Sequence, residues 1–103
     1  MKEIQEKVKK FCEKYNIHHG PEFLTLDIQS ELGEVAKEIL KSSDYGNKTF
    51  EYKEEIKSEI GDLLYSLITL SNHFNIDLDA ALNLVLKKYE KRLKKGSAGS
   101  ENN

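Results

Sequence analysis

The feature that most constrains the fold is a repeat of apolar residues at every third or fourth position, found in four segments of the chain. This spacing places the apolar residues on one face of a helix. It predicts helices from about Lys2 to Asn16, from Pro21 to Lys41, from Thr49 or Phe50 to Phe74, and from Leu78, with Asp77 as N-cap, to about Leu93. No segment alternates with a period of two over the length of a strand. The sequence therefore predicts an all-α domain of four helices.

Each predicted helix has a line of residues expected to face a shared core. These lines are Ile4, Val8, Phe11 and Tyr15; Leu24, Ile28, Leu32, Val35 and Ile39; Ile56, Ile60, Leu63, Leu67 and Leu70; and Leu78, Leu82, Val85, Tyr89 and Leu93. Further apolar residues, Leu64, Ile68, Leu84 and Leu86, lie off these lines. We expect this excess to be covered by another copy of the chain, because a small domain buries a limited fraction of its surface.

Length and charge narrow the classes of function. The 103 residues suit one domain, predicted over 1–95, followed by a polar and disordered tail over 96–103. The net charge of -2, with 18 acidic residues against 16 basic ones, argues against a nucleic-acid-binding module. No signal peptide or membrane span is predicted, so we expect a cytoplasmic protein with no membrane partner. The lone Cys12 lies on an apolar line and is expected to pack there.

Four acidic residues interrupt the apolar lines of the second and third helices. Glu31 and Glu34 lie three residues apart on one helix, and Glu59 and Asp62 have the same spacing on the next. Residues spaced in this way share a helix face. Carboxylates that meet in a crevice must bind protons or a cation, and Mg²⁺ and Mn²⁺ prefer oxygen ligands. The alternative interpretation is that these acids lie on solvated helix faces without a metal.

The same acids carry a resemblance to a known family. Residues 30–34, S-E-L-G-E, are similar to the first motif of MazG-like nucleoside triphosphate pyrophosphohydrolases, E-E-x-x-E. Residues 59–65, E-I-G-D-L-L-Y, resemble the second motif, E-x-x-D before an apolar helix, and residues 75–82 resemble the start of the family's last helix. The resemblance covers about residues 24–92. It implies a four-helix MazG-like bundle, completed by association into a homodimer or homotetramer.

The resemblance also implies an activity and a set of site residues. The activity is Mg²⁺-dependent hydrolysis of nucleoside triphosphates between the α and β phosphates by attack of water, with Mn²⁺ as a substitute for Mg²⁺. The cellular role that the resemblance implies is the removal of aberrant nucleotides. The implied metal ligands are Glu31, Glu34, Glu59 and Asp62, of which Glu34 and Glu59 are assigned catalytic roles and Glu34 is favoured as the base. The implied phosphate-binding residues are Lys88 and Arg92. Two positions depart from the family pattern: Ser30 replaces its first acid, and Glu55 stands where some members have Lys.

Two other functions stay open on the sequence. The first is phosphoribosyl-ATP pyrophosphohydrolase, a related all-α enzyme with similar acidic motifs and a different substrate. The second is a helical interaction module that keeps the bundle and has no catalytic activity, which the departures at Ser30 and Glu55 favour.

Overall fold

A computed structural model of the chain describes residues 1–96. Four helices make up this part of the chain, in the order α1 (Lys2–Lys14), α2 (Pro21–Lys41), α3 (Glu54–His73) and α4 (Leu78–Lys94), and no strand occurs within it. The all-α fold with four helices is thereby confirmed. Of the predicted tail, 96–103, only Gly96 lies within the described residues.

The core forms where α2 packs against α3, and α1 packs against another part of α3. Its most buried apolar residues are Leu24, Val35, Ile56 and Ile68. Ile68, which was predicted to lie off the core, is only 1% exposed and is the most buried of them. The reason is that α3 has neighbours on two sides, so its buried surface is wider than a single apolar line. Ser66 and Ser71 are also buried on this surface.

Several residues of the predicted inward lines are exposed in the single chain. Leu32 on α2 is 56% exposed, Ile60 on α3 is 50% exposed, and Leu82 on α4 is 53% exposed. α4 has no buried residue and packs little on the other helices. The prediction that the α4 line faces inward is therefore met only in part: Leu78 and Val85 are half-buried, whereas Leu82, Tyr89 and Leu93 are exposed.

The helix starts depend on local chemistry. Pro21 opens α2 as predicted, since proline lacks the N–H that a first turn leaves unpaired, and Gly20 is the N-cap. Asp77 caps α4 as predicted, accepting hydrogen bonds from the N–H groups of Asp79 and Ala80 at 2.9 and 3.3 Å. α3 begins at Glu54, later than predicted. The preceding segment is held in a loop in which the N–H of Glu51 donates to the carbonyl of Ser42 at 2.9 Å.

α1 and α3 end with the same C-terminal backbone conformation. Asn16 and Asn75 adopt positive φ of 53° and 55°, and the next N–H, of Ile17 or Ile76, donates to the carbonyl five residues before it. Asparagine tolerates this left-handed conformation better than most residues, and the bond satisfies a carbonyl that the helix leaves unpaired. Both helices therefore end one or two residues earlier than the apolar pattern predicts. None of the helices in residues 1–96 combines the length and apolar character that crossing a bilayer requires.

Candidate active site

The acidic residues meet because α2 and α3 run antiparallel along one another. Asp27 on α2 lies opposite Ser66 on α3, and one turn further along α2 Glu31 lies close to Glu59 and Asp62. As the residue number increases along α2, the number of the residue that faces it on α3 decreases, as expected for antiparallel helices. Each acidic pair is spaced by three residues, so it projects from the helix face that looks across this contact.

Three carboxylates form the centre of the site. One oxygen each from Glu31, Glu59 and Asp62 lies within 4.8 Å of the other two. Glu31 and Glu59 are partly buried, and Asp62 is exposed. Around one Mg²⁺ with bonds of about 2.1 Å, ligand oxygens are about 3 to 4 Å apart, so a small side-chain movement would bring this trio to ligand spacing. The donor set, made entirely of hard oxygen atoms, fits Mg²⁺ or Mn²⁺.

In the absence of a cation, burial and mutual repulsion disfavour the charged form of these carboxylates. Burial raises the pKa of Glu31 above its usual value of 4.5, and the negative charges of Asp62, Asp27, Glu59 and Glu34 raise it further. Burial also raises the pKa of Glu59, followed by the charges of Asp62, Glu34 and Glu38, while Lys37 lowers it. Both carboxyls are thus held in surroundings that disfavour their charge, and a bound divalent cation would reverse that preference.

Glu34 lies at the edge of the site. It is exposed on α2 and stands outside the trio, although its charge acts on both Glu31 and Glu59. The prediction that four acids converge is therefore met by three of them in the described residues.

Lys88 and Arg92 lie on α4, on either side of Tyr89. The Lys88 Nζ lies 5.5 Å from the centre of the Tyr89 ring, and the Arg92 Cζ lies 5.8 Å from it. Because α4 packs little on α2 and α3 in residues 1–96, a contact of these cations with the acidic site stays a prediction. Lys37, which the motif pattern did not identify, is a cation whose charge acts on Glu59.

Two further site residues were missed by the sequence analysis. The Ser66 hydroxyl donates a hydrogen bond of 2.7 Å to Oδ2 of Asp27, and Asp27 is one of the charges that raise the pKa of Glu31. Asp27 precedes Glu31 by four residues and Ser66 follows Asp62 by four. Extending each acidic pair by one helical turn would have found both residues.

A cavity of about 480 Å³ opens at the other end of the α2–α3 contact. Its walls come from α1, the turn before α2, and the facing sides of α2 and α3, and include Cys12, Ile17, His18, Leu24, Thr69 and Asn72. Leu24 is seven residues from Glu31, and Thr69 is seven residues from Asp62, so the cavity lies two helical turns, about 10 Å, from the acids. The Tyr65 hydroxyl lies between these regions, 3.4 Å from the Cys12 Sγ, and burial raises the pKa of Tyr65 to about 12.

Solved structures resemble this arrangement of helices. The crystal structure of a Bacillus-conserved MazG protein, a nucleotide pyrophosphohydrolase, superimposes with a TM-score of 0.73 at 29% identity, covering 85% of this chain and 86% of the other. The crystal structure of YpjD from Bacillus subtilis gives the same TM-score at 30% identity, covering 85% and 92% of the two chains.

Sequence comparisons agree with the structural ones. The protein YpjD of Bacillus subtilis (strain 168) is 34% identical over 96 residues, which span 89% of this chain and 85% of YpjD. The nucleoside triphosphate pyrophosphohydrolase/pyrophosphatase MazG of Thermotoga maritima is 31% identical over 68 residues, covering 66% of this chain and 24% of that protein. The family profile described as the MazG nucleotide pyrophosphohydrolase domain matches residues 19–97. The chain therefore belongs to the MazG nucleotide pyrophosphohydrolase family.

Proposed function

We propose that this protein hydrolyses nucleoside triphosphates between the α and β phosphates, releasing a nucleoside monophosphate and pyrophosphate, with Mg²⁺ or Mn²⁺ as cofactor. The observation that carries the proposal is the trio of Glu31, Glu59 and Asp62, whose oxygens from two helices lie within 4.8 Å of one another. Membership of a family of nucleotide pyrophosphohydrolases supports the substrate class. The removal of aberrant nucleotides is the cellular role that we propose for this activity.

Each residue of the site is proposed to have a role that follows from its position. Glu31, Glu59 and Asp62 would hold the cation, which when bound neutralises phosphate charge and lowers the pKa of water. Glu34, at the exposed edge, is proposed to orient the attacking water and accept its proton, with Glu59 as a second catalytic carboxylate. Lys88 and Arg92 are proposed to stabilise charge on the phosphates.

The cavity two turns from the acids is the proposed place for the nucleoside. It is lined by apolar groups such as Leu24 and Ile17, and it also presents polar groups such as Thr69 and Asn72. This mixture is typical of small-molecule sites, in which apolar walls supply area and a few polar atoms select the ligand. A triphosphate extending from the cavity along the α2–α3 contact would reach the acidic trio.

The test is pyrophosphate release from a panel of canonical and modified nucleoside triphosphates, with Mg²⁺, with Mn²⁺ and with a chelator. We expect metal-dependent formation of pyrophosphate and monophosphate. Glu59→Gln should lower kcat by more than about a hundredfold, because removing a ligand disturbs both cation and water. Circular dichroism should show unchanged helix content in the variant, with Glu90→Gln on α4 as a matched control that keeps full activity.

The outcomes separate the candidate functions. Full activity of Glu59→Gln would refute the assignment of the site. Hydrolysis of phosphoribosyl-ATP and of no nucleoside triphosphate would identify the related enzyme instead. Thermal stabilisation by Mg²⁺ with no hydrolysis of any of these substrates would identify an interaction module.

We also propose that the working form is a homodimer or homotetramer. Its support is the apolar surface that the single chain leaves exposed on α4 and α3, including Leu82, Leu86 and Ile60, each at least half exposed. Exposed apolar residues in such number are typical of a protein interface.

A further inference from the structure

A hydrogen bond between α2 and α3 lies next to the acidic trio. The Ser66 hydroxyl donates to Oδ2 of Asp27 at 2.7 Å, within the 2.5 to 3.0 Å typical of O–H···O bonds. Ser66 is 2% exposed and Asp27 is partly buried. The bond therefore joins α2 and α3 at a place where water has little access, and it fixes the orientation of the Asp27 carboxylate.

The position of Asp27 relative to the site follows from helix geometry. Asp27 and Glu31 are four residues apart on α2, so they are neighbours on one helix face. Asp62 and Ser66 have the same spacing on α3, so the Asp27–Ser66 bond lies one turn from the trio. Asp27 therefore places a further carboxylate beside Glu31, although neither proposed motif includes it.

We propose that Asp27 is a positioning residue of the cation site: its carboxylate, held by Ser66, strengthens the binding of a divalent cation by Glu31. The inference rests on the proposed function, because it assumes that the trio holds Mg²⁺ or Mn²⁺. Asp27 adds a negative charge beside Glu31 that favours a cation there and disfavours the empty site. Ser66 keeps that charge in place, as partners behind metal ligands generally do.

A purely structural role for the pair makes different predictions from a role at the cation site. Asn at position 27 keeps an oxygen that can accept the Ser66 hydrogen bond, and it loses the negative charge. Ala at position 66 removes the hydrogen bond and leaves the charge of Asp27. If the pair only joins the helices, Asp27→Asn should leave cation affinity unchanged and Ser66→Ala should lower the melting temperature alone.

The experiment is a calorimetric titration of the full chain with Mn²⁺ in the absence of nucleotide. We expect Asp27→Asn to weaken Mn²⁺ affinity about tenfold. Ser66→Ala should weaken it by a smaller factor, because the charge remains but is less well oriented. Glu22→Gln is the matched control: it removes one negative charge from α2 in its first turn, away from the trio, and should leave the affinity at the wild-type value.

The result also distinguishes the inference from the proposed function. If the wild type binds Mn²⁺ and Glu59→Gln does not, the cation site stands; an unchanged affinity in a folded Asp27→Asn would then overturn the role of Asp27 alone. If the wild type binds no Mn²⁺, the cation site and the role of Asp27 both fail. Should Asp27→Asn not fold, Ser66→Ala decides the question, and wild-type affinity in that variant overturns the proposal.

Discussion

Glu31 and Glu59 show how a binding site can destabilise the fold that presents it. Their pKa values are raised above 4.5 by burial first and by neighbouring acids second. Below the pKa of the unfolded chain, the carboxyl is protonated in both states and costs nothing. As pH rises from that value to the raised pKa of the folded state, the unfolded chain releases its proton before the folded protein does, so stability is lost across this window.

Glu31→Gln tests this cost directly. In chelator at pH 7 the variant should unfold at a higher urea concentration than the wild type, because it lacks one of the mutually repelling charges. The difference should shrink as pH falls and vanish below 4.5, where Glu31 is protonated in both states. Urea denaturation followed by circular dichroism at several pH values measures both effects.

Adding Mg²⁺ should reverse the order of stability in that experiment. A cation that binds only the folded protein stabilises the wild type by mass action, while the variant has lost a ligand. A wild type that is more stable than Glu31→Gln in chelator at pH 7 would contradict the repulsion argument.

At the scale of elements, one side chain of α1 determines how α3 joins α4. The Gln5 amide nitrogen donates to Oδ1 of Asn72 at 3.0 Å and to the carbonyl of Ile76 at 2.8 Å. Its Oε1 accepts from the N–H of Leu78 at 3.0 Å, and the Asn72 amide donates to the Gln5 carbonyl at 3.0 Å. Since Ile76 and Leu78 lie at the turn into α4, Gln5 fixes the direction in which that helix leaves the core.

Gln5→Ala removes the three hydrogen bonds of this amide. At about 0.5 to 1.5 kcal/mol each, the free energy of unfolding should fall by about 2 kcal/mol. Chemical denaturation measures this loss. Gln29→Ala, at an exposed glutamine of α2, is the matched control and should change stability by less than about 0.5 kcal/mol. Equal stability of Gln5→Ala and the wild type would show that the turn holds without this contact.

At the scale of the whole molecule, the single chain is more extended than its length requires. Its radius of gyration is 17.0 Å, against about 13 Å for a compact domain of this size. The difference agrees with the limited packing of α4 and with the exposure of Leu82 and Leu93. A second copy that covers α4 would bury this surface and would compensate for the small core of one chain.

Leu82→Asp tests whether α4 forms such an interface. Sedimentation equilibrium of the wild type should give a mass that is a multiple of 11.9 kDa. The variant should shift toward one chain mass and melt at a lower temperature, because it places a charge in an apolar contact. Asn83→Asp adds the same charge at the neighbouring exposed position and should stay associated. A wild type with the mass of one chain would rule out the oligomer.

The sequence by itself determined the all-α class, the approximate bounds of the helices, the start of α2 at Pro21, the cap at Asp77 and the family, because these depend on local periodicity, local hydrogen bonding and ordered motifs. It also identified Glu31, Glu59 and Asp62 as acids that could lie close together, since carboxylates that interrupt an apolar line can be recognised without coordinates.

Only the tertiary structure decided which acids meet and which apolar residues are buried. It placed Glu34 at the edge of the site, joined Asp27 to Ser66, and buried Ile68 while leaving most of the α4 line exposed. These outcomes depend on which helices are neighbours and on their register. Periodicity along one helix defines its apolar face. It carries no information about which helix covers that face or about the register of the two helices along their axes.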